Sequence, residues 1–86
     1  NNNWRVYKMI TQTITGTITN IKRMNNSLNG NPNYRLLLET ANGVEIPVLT
    51  IDDYSVNYKI HGGMEDNSAT LQVKVNKYSN KLLKVI

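Results

Sequence analysis

A long run of alternating residues near the start of the chain places the strongest constraint on its fold. From Ile10 to Met24, isoleucines fall on one face and threonines on the other. A period of two over this length predicts a β-strand with one apolar face. The apolar face contains Ile10, Ile14 and Ile18, and the opposite face contains Thr11, Thr13, Thr15, Thr17 and Thr19.

A glycine and a change of parity interrupt this strand. Gly16 lies in the middle of the apolar face, where a strand glycine usually marks a bulge or a sharp bend. Beyond it, Ile21 can share a face with Ile18 only if an extra residue is accommodated near Thr19 or Asn20. A strand that bends and changes face can belong to both halves of a small barrel, so this segment predicts a barrel.

Four further segments have the alternation expected of strands. They are Tyr34 to Ala41, Val44 to Ile51, Ser68 to Tyr78 and Lys81 to Ile86. The residues predicted to face inward are Tyr34, Leu36, Leu38, Val44, Ile46, Val48, Ala69, Leu71, Val73 and Val75. Asn42-Gly43 predicts a type I′ hairpin between the second and third strands. Pro47 cannot donate to a ladder, so the third strand is predicted to be an edge or bulged strand.

The segment between the third and fourth strands allows two interpretations. Asp52 or Asp53 is suited to cap a helix and Gly62-Gly63 to end it, which favours a short helix over Tyr54 to Ile60. The same stretch also alternates apolar and polar residues, which is typical of a strand. We favour the helix because of its capping residues and its brevity.

This order of elements predicts an all-β domain with one short helix. Three meandering strands, a connection and a closing hairpin follow the order of an OB-fold, a five-stranded, partly open Greek-key barrel. An SH3-like barrel is the alternative, since it also has five short strands and a long early loop. A helical turn between strands three and four favours the OB-fold, and one between strands four and five favours the SH3-like barrel. We predict a single domain over residues 1–86, with residues 1–9 as an extended arm.

The composition argues against several classes of protein. The chain contains no cysteine, which excludes a disulfide scaffold and any thiolate site. Its one histidine, His61, lies in a predicted glycine-containing loop, and there is no phosphate loop, nucleophile elbow or calcium loop. We therefore expect no enzymatic activity, no metal and no cofactor. No apolar run approaches the roughly 20 residues of a membrane span, so we expect no membrane association and a cytoplasmic location.

Charge and loop composition point to a polyanionic partner. The net charge is +4, and the asparagine-rich loop from Lys22 to Asn33 has Lys22 and Arg23 where the chain enters it and Arg35 where the chain leaves it. In an OB-fold, this loop and the one joining strands four and five flank the face that binds oligonucleotides. The candidate nucleic-acid-binding residues are the cations, amides and aromatic rings of these two loops: Lys22, Arg23, Asn25, Asn26, Asn29, Asn31, Tyr34, Arg35, Lys77, Tyr78 and Lys81.

Each group of candidates has an expected role and a simpler explanation. The cations would neutralise phosphates, the asparagines would bond base edges or sugars, and Tyr34 and Tyr78 would stack on bases for about 1–3 kcal/mol each. Alternatively, Tyr34 caps the barrel core and the asparagines only turn the chain. The predicted function is single-stranded nucleic-acid binding. The alternative is a protein-interaction module that pairs with a protein partner, or with itself, through the third strand or the N-terminal arm.

One motif supports a family resemblance. The run Asn26-Ser27-Leu28-Asn29-Gly30-Asn31-Pro32-Asn33-Tyr34, with Thr50, Asp52 and Tyr58 downstream, resembles a small family of phage and mobile-element proteins. That family tends to show Lys/Arg-x-x-Asn-Ser-x-x-Gly-Asn-Pro-Arg-Tyr followed by Thr-x-x-Asp and a final hairpin. This chain has Asn33 where the family usually has a basic residue. The resemblance covers about Thr17 to Ile86 and implies a phage or plasmid origin and a bacterial cytoplasm, without implying an activity.

Overall fold

The structure is a computed structural model that describes residues 10–76 and 79–86. Its strands are β1 (Ile10–Met24), β2 (Asn33–Glu39), β3 (Glu45–Thr50), β4 (Ser68–Val75) and β5 (Asn80–Val85). The helix α1 (Tyr54–Asn57) and a 3-10 turn (Gly62–Met64) connect β3 to β4. The predicted arm over residues 1–9 and the candidate residues Lys77 and Tyr78 lie outside the described residues.

The five strands close into a barrel in the order β1-β2-β3-β5-β4, and β4 pairs back to β1. Every neighbouring pair is antiparallel except β3 and β5, which run parallel. The helix falls between β3 and β4, the position that favours an OB-fold over an SH3-like barrel. The prediction of an OB-like, five-stranded barrel is confirmed.

Strand β1 serves both halves of the barrel, as its sequence predicts. Residues 10–17 pair with β4 and residues 17–24 pair with β2, with a register shift between Ile18 and Asn20. Gly16 lies where β1 passes from one partner to the other. A Cβ atom there would overlap the carbonyl oxygen of Glu39 and lie 2.9 Å from its carbonyl carbon. Glycine is required at this position because the two backbones approach too closely for any side chain.

The barrel core consists of fully or almost fully buried aliphatic residues from all five strands and from the segment after α1. These residues are Ile18, Leu36, Leu38, Val48, Ile60, Leu71, Val73 and Leu82. Burying each of them is worth roughly 1.5–3 kcal/mol relative to exposure, which makes the inward faces the main source of stability. The period-two prediction is confirmed for the central residues and wrong for Val44, which is 55% exposed because it lies at the hairpin end, before β3 begins.

The turn between β2 and β3 differs from the predicted type I′ hairpin. That turn needs positive φ at two residues, whereas here Gly43 has a φ of 79° and Asn42 has a negative one. The Gly43 N–H donates to the Thr40 carbonyl and the Thr40 N–H to the Val44 carbonyl, both at 2.9 Å. The result is a three-residue loop with a left-handed glycine, the next most common hairpin. Both strands therefore stop short of their predicted ends at the hairpin.

The predicted helix exists but is only one turn long. Oδ1 of Asp53 accepts hydrogen bonds from the backbone N–H groups of Ser55 (2.9 Å) and Val56 (3.3 Å), as an N-cap should. Hydrogen bonding, chiefly from the side chain of Ser55, lowers the pKa of the Asp53 carboxyl. The helix ends at Asn57, and Ile60 just beyond it is buried in the core.

Candidate functional site

Four cations and one leucine lie side by side across the outer face of the barrel. Lys22 is opposite Arg35, Arg35 is opposite Leu49, and Leu49 is opposite Lys81 on the parallel strand. Lys81 is in turn opposite Lys74. Opposed residues share a face of the sheet and neighbouring strands are about 4.8 Å apart, so the five positions follow the curved sheet for about 19 Å. We call Lys22, Arg35, Leu49, Lys81 and Lys74 the cation row.

The charges of the cation row are not neutralised by any side chain in the described part of the protein. Lys22 and Lys74 are exposed, and Arg35 and Lys81 are half-buried. Within residues 10–76 and 79–86, none of these four side chains forms an ion pair or a hydrogen bond. Like charges directly opposite each other on neighbouring strands destabilise a sheet. A polyanion lying along the row would remove this repulsion.

A cleft of about 440 Å³ opens beside the cation row. It lies between the outer face of β2 and β3 and the residues at the end of β4 and the beginning of β5. Its lining combines apolar, amide, hydroxyl and guanidinium groups from Arg35, Pro47, Leu49, Val75, Asn76, Ser79 and Asn80. This is the face and one of the two loops with which OB-folds bind oligonucleotides.

The outer face of β2 and β3 changes from basic to acidic along the strands. The three opposed pairs, two residues apart, are Arg35 with Leu49, Leu37 with Pro47, and Glu39 with Glu45. Each step from one pair to the next covers two residues, or about 7 Å, so the carboxylates of Glu39 and Glu45 lie about 14 Å along the strands from the cation row. An anionic ligand on this face is attracted to the cation-row end and repelled from the hairpin end.

The loop between β1 and β2 is held in place by one carboxylate. Oδ1 of Asp52 accepts hydrogen bonds from Ser27 Oγ and Asn31 Nδ2, both at 2.6 Å, and Oδ2 accepts one from Asn29 Nδ2 at 2.5 Å. These bonds, that of Ser27 most of all, lower the pKa of the Asp52 carboxyl. We call this arrangement the Asp52 latch. The Asp52 latch engages the side-chain amides of Asn29 and Asn31, which were predicted from the sequence to contact bases or sugars.

Arg23 and Tyr34 form a second cluster at the end of the barrel. Their Cα atoms are opposed in the sheet, and the Arg23 guanidinium lies 5.4 Å from the centre of the Tyr34 ring. The same guanidinium donates to the Met24 carbonyl at 2.7 Å and to Oδ1 of Asn26 at 2.5 Å. Tyr34 also packs against the core. One face of this ring is therefore covered by Arg23.

Asn57 is a structural residue of the site that sequence reasoning missed. Its side chain is completely buried, and Nδ2 donates to the carbonyls of Ile51 (2.6 Å) and Pro32 (2.8 Å). It thereby joins α1 to the end of β3 and to the base of the loop that carries the Asp52 latch. Its Oδ1 has no hydrogen-bond partner within residues 10–76 and 79–86. A lone asparagine between Val56 and Tyr58 gives no signal of burial in the sequence.

The structure divides the predicted site residues into three groups. The cation row contains Lys22, Arg35 and Lys81, and it adds Leu49 and Lys74, which were not among the predicted nucleic-acid-binding residues. The barrel-end cluster contains Arg23, Asn26 and Tyr34, and the Asp52 latch contains Asn29 and Asn31. Asn25 is exposed in the same loop.

The described residues contain no metal-binding cluster. Across residues 10–76 and 79–86, no three side chains of histidine, cysteine, aspartate or glutamate are grouped so that they could hold a metal ion. The helices in this part of the chain are too short and too polar to cross a membrane.

Comparison with protein-family models, with curated proteins and with solved structures finds no match to this chain. The resemblance to phage and mobile-element proteins stays a prediction. The function is therefore argued from the cation row, the cleft and the loop beside them.

Proposed function

We propose that this protein binds single-stranded nucleic acid across the outer face of β2 and β3. The proposal rests on the cation row, in which Leu49 lies among four cations that form no ion pair with any residue of the segments 10–76 and 79–86. Phosphates would lie along Lys22, Arg35, Lys81 and Lys74. Proteins that bind single-stranded nucleic acid generally have a positively charged groove that follows the phosphate backbone.

The cleft favours a single strand over a duplex. Leu49 and Pro47 offer apolar surface, and the planar guanidinium of Arg35 offers a face on which a base can stack. A base can use these surfaces only when it is unstacked and turned toward the protein. The volume of about 440 Å³ lies within the range of about 300–1,000 Å³ typical of small-molecule sites, so the cleft can accept one base with its sugar.

The Asp52 latch contributes by ordering the neighbouring loop before a ligand arrives. Binding costs about 0.5–1.5 kcal/mol for each flexible side chain that must be immobilised. Ser27, Asn29 and Asn31 are already fixed by Asp52 and would not add this cost. In this proposal the loop forms a rigid wall next to Lys22, while the cation row supplies the affinity.

Salt dependence provides the test. Each phosphate neutralised on a single strand contributes about −0.7 to the slope of log K against log salt concentration, so four contacts predict about −2.8. We expect micromolar or tighter binding of a fluorescently labelled oligo-dT at low salt, measured by anisotropy. The double variant Lys22→Gln/Lys81→Gln should make the slope shallower by about 1.4.

The double variant Lys59→Gln/Lys84→Gln is the matched control, because it removes the same two charges from exposed lysines outside the cation row. It should leave the slope within error of the wild type. Absence of binding at low salt would exclude the proposal. An equal loss of slope in Lys59→Gln/Lys84→Gln would show that only net charge matters.

A protein-interaction module is the second candidate, and one observation favours it. Residues 45–48 of β3 pair with β2 alone, since β5 pairs with β3 only at Leu49 and Thr50. Among the described residues this edge is therefore open to addition of a strand. A pull-down from nuclease-treated bacterial lysate separates the two candidates, because partners held through nucleic acid are lost and direct protein partners remain. Light scattering tests self-association through the same edge.

A further inference from the structure

The chain contains two Asn-Gly pairs, and both lie in turns of the same construction. In the first turn, Gly30 N–H donates to the Ser27 carbonyl and Ser27 N–H to the Asn31 carbonyl, both at 2.9 Å. The hairpin turn repeats these two bonds with Gly43, Thr40 and Val44, also at 2.9 Å. The two glycines have φ angles of 81° and 79°. Asn29 and Asn42 therefore occupy equivalent positions in equivalent backbones.

The surroundings of the two amides differ. Both asparagines are exposed, but Nδ2 of Asn29 donates to Oδ2 of Asp52 at 2.5 Å. The side chain of Asn42 makes no hydrogen bond to any residue in the segments 10–76 and 79–86. The protein thus provides one restrained and one unrestrained Asn-Gly pair in matched turns.

We propose that Asn42 is a site of spontaneous deamidation and that Asp52 protects Asn29 from the same reaction. The backbone nitrogen of the following glycine attacks Cγ of the asparagine, an N–Cγ bond forms, and the amide nitrogen leaves as ammonia together with the proton. Water then opens the succinimide at either carbonyl and yields aspartate or isoaspartate. Glycine favours the attack because no side chain obstructs its nitrogen, and asparagine is among the residues that limit the life of proteins at high temperature.

Two physical effects of Asp52 slow the reaction at Asn29. The side chain must rotate to bring Cγ to the Gly30 nitrogen, and this rotation breaks a hydrogen bond to a carboxylate, a bond stronger than one between neutral groups. The addition step also develops negative charge on the amide oxygen, which the Asp52 carboxylate repels. Neither effect acts on Asn42.

The two reactions have different consequences for the protein. Conversion of Asn42 adds a carboxylate to the hairpin next to Glu39 and Glu45, which are already opposed. Conversion of Asn29 would replace a donor to Asp52 by a second carboxylate and open the Asp52 latch. Protection by Asp52 therefore preserves the loop beside Lys22, while the hairpin acquires negative charge with age.

The test follows both sites in one sample by peptide mapping. Trypsin places them on different peptides, residues 24–35 and residues 36–59, and fragmentation locates the change within each. The folded wild type is incubated in mildly alkaline buffer at physiological temperature. We expect Asn42 to deamidate about tenfold faster than Asn29. This is the rate difference expected when the reaction at Asn29 must first break one charge-assisted hydrogen bond. In denaturant the two rates should become equal.

Two variants isolate the role of Asp52. Asp52→Ala should raise the deamidation rate of Asn29 about tenfold and leave the rate of Asn42 unchanged, so that Asn42 is the internal reference. Asn31→Ala removes a different bond to Asp52 and should leave Asn29 slow. Equal rates at both sites in the folded wild type would overturn the proposal, whether or not the variants fold. An unchanged rate at Asn29 in folded Asp52→Ala would overturn it as well.

Discussion

Replacing Gly16 with alanine would press a methyl group against the backbone of β2. The added Cβ would lie 2.9 Å from the Glu39 carbonyl carbon and 3.1 Å from Cγ of Leu38, and would overlap the Glu39 oxygen. The Leu38 side chain is itself buried in the core and the Glu39 contact is backbone, so neither group can rotate away. Relief therefore requires β1 to move away from β2 at the point where β1 changes partners.

The expected size of the effect follows from two opposing terms. Overpacking in a well-packed region costs about 1–3 kcal/mol. Replacing a strand glycine with alanine recovers roughly 0.5–1 kcal/mol of backbone entropy. We therefore expect Gly16→Ala to lower the free energy of unfolding by about 1–2 kcal/mol. For a chain of this length that corresponds to a fall in Tm of about 5–15 °C.

Thermal and urea denaturation measure this effect directly. Gly62→Ala is the control, because a Cβ at Gly62 meets no atom within 4 Å and the residue has ordinary φ. Its stability should stay within about 0.5 kcal/mol of the wild type. If Gly16→Ala were as stable as Gly62→Ala, the close approach of β1 and β2 would be refuted.

Two further predictions concern the residues that hold the loop. Asn57→Ala should lower the free energy of unfolding by about 2–4 kcal/mol, because the carbonyls of Pro32 and Ile51 lose their hydrogen-bond donor. Urea denaturation measures this loss of stability. A loss below about 1 kcal/mol would contradict the role assigned to Asn57. The pKa of Asp52 lies below the ordinary value of 3.8, so the Asp52 latch should be intact at neutral pH and lost as the pH falls through the lowered pKa. The amide NMR signals of Gly30 and Asn31 should shift with that acid transition, and Asp52→Asn should abolish it. A transition that survives in Asp52→Asn would assign it to another carboxyl group.

Much of the barrel was predictable because a period of two is a local property of the chain. The alternation placed all five strands, their buried faces and the bulge of β1 near Thr19, and the capping aspartates placed the helix. The Asn-Gly turn was predicted in place but with the wrong type. The choice between two- and three-residue loops depends on strand register and on the Thr40 hydrogen bond, and the dipeptide alone specifies neither.

The candidate site was only partly predictable, because it depends on contacts between distant segments. The sequence identified the basic and asparagine-rich loop, but the structure shows that Asn29 and Asn31 are bonded to Asp52. The alignment of Lys22, Arg35, Lys81 and Lys74 requires the register of four strand pairs at once. No local pattern contains that information.

The amino-acid sequence is enough to predict that this chain forms a small β-barrel with a bent first strand and an excess of positive charge. The strands follow from the local alternation of side chains, and the bend follows from a glycine within a strand. The excess of positive charge is the sum of the charged residues in the composition. The position of the positive charges on the barrel and the hydrogen bonds that hold the loop emerge only when the strands have assembled. Both depend on strand register, which is fixed when the apolar faces are buried together, and a shift of one residue would move the cations to the opposite face.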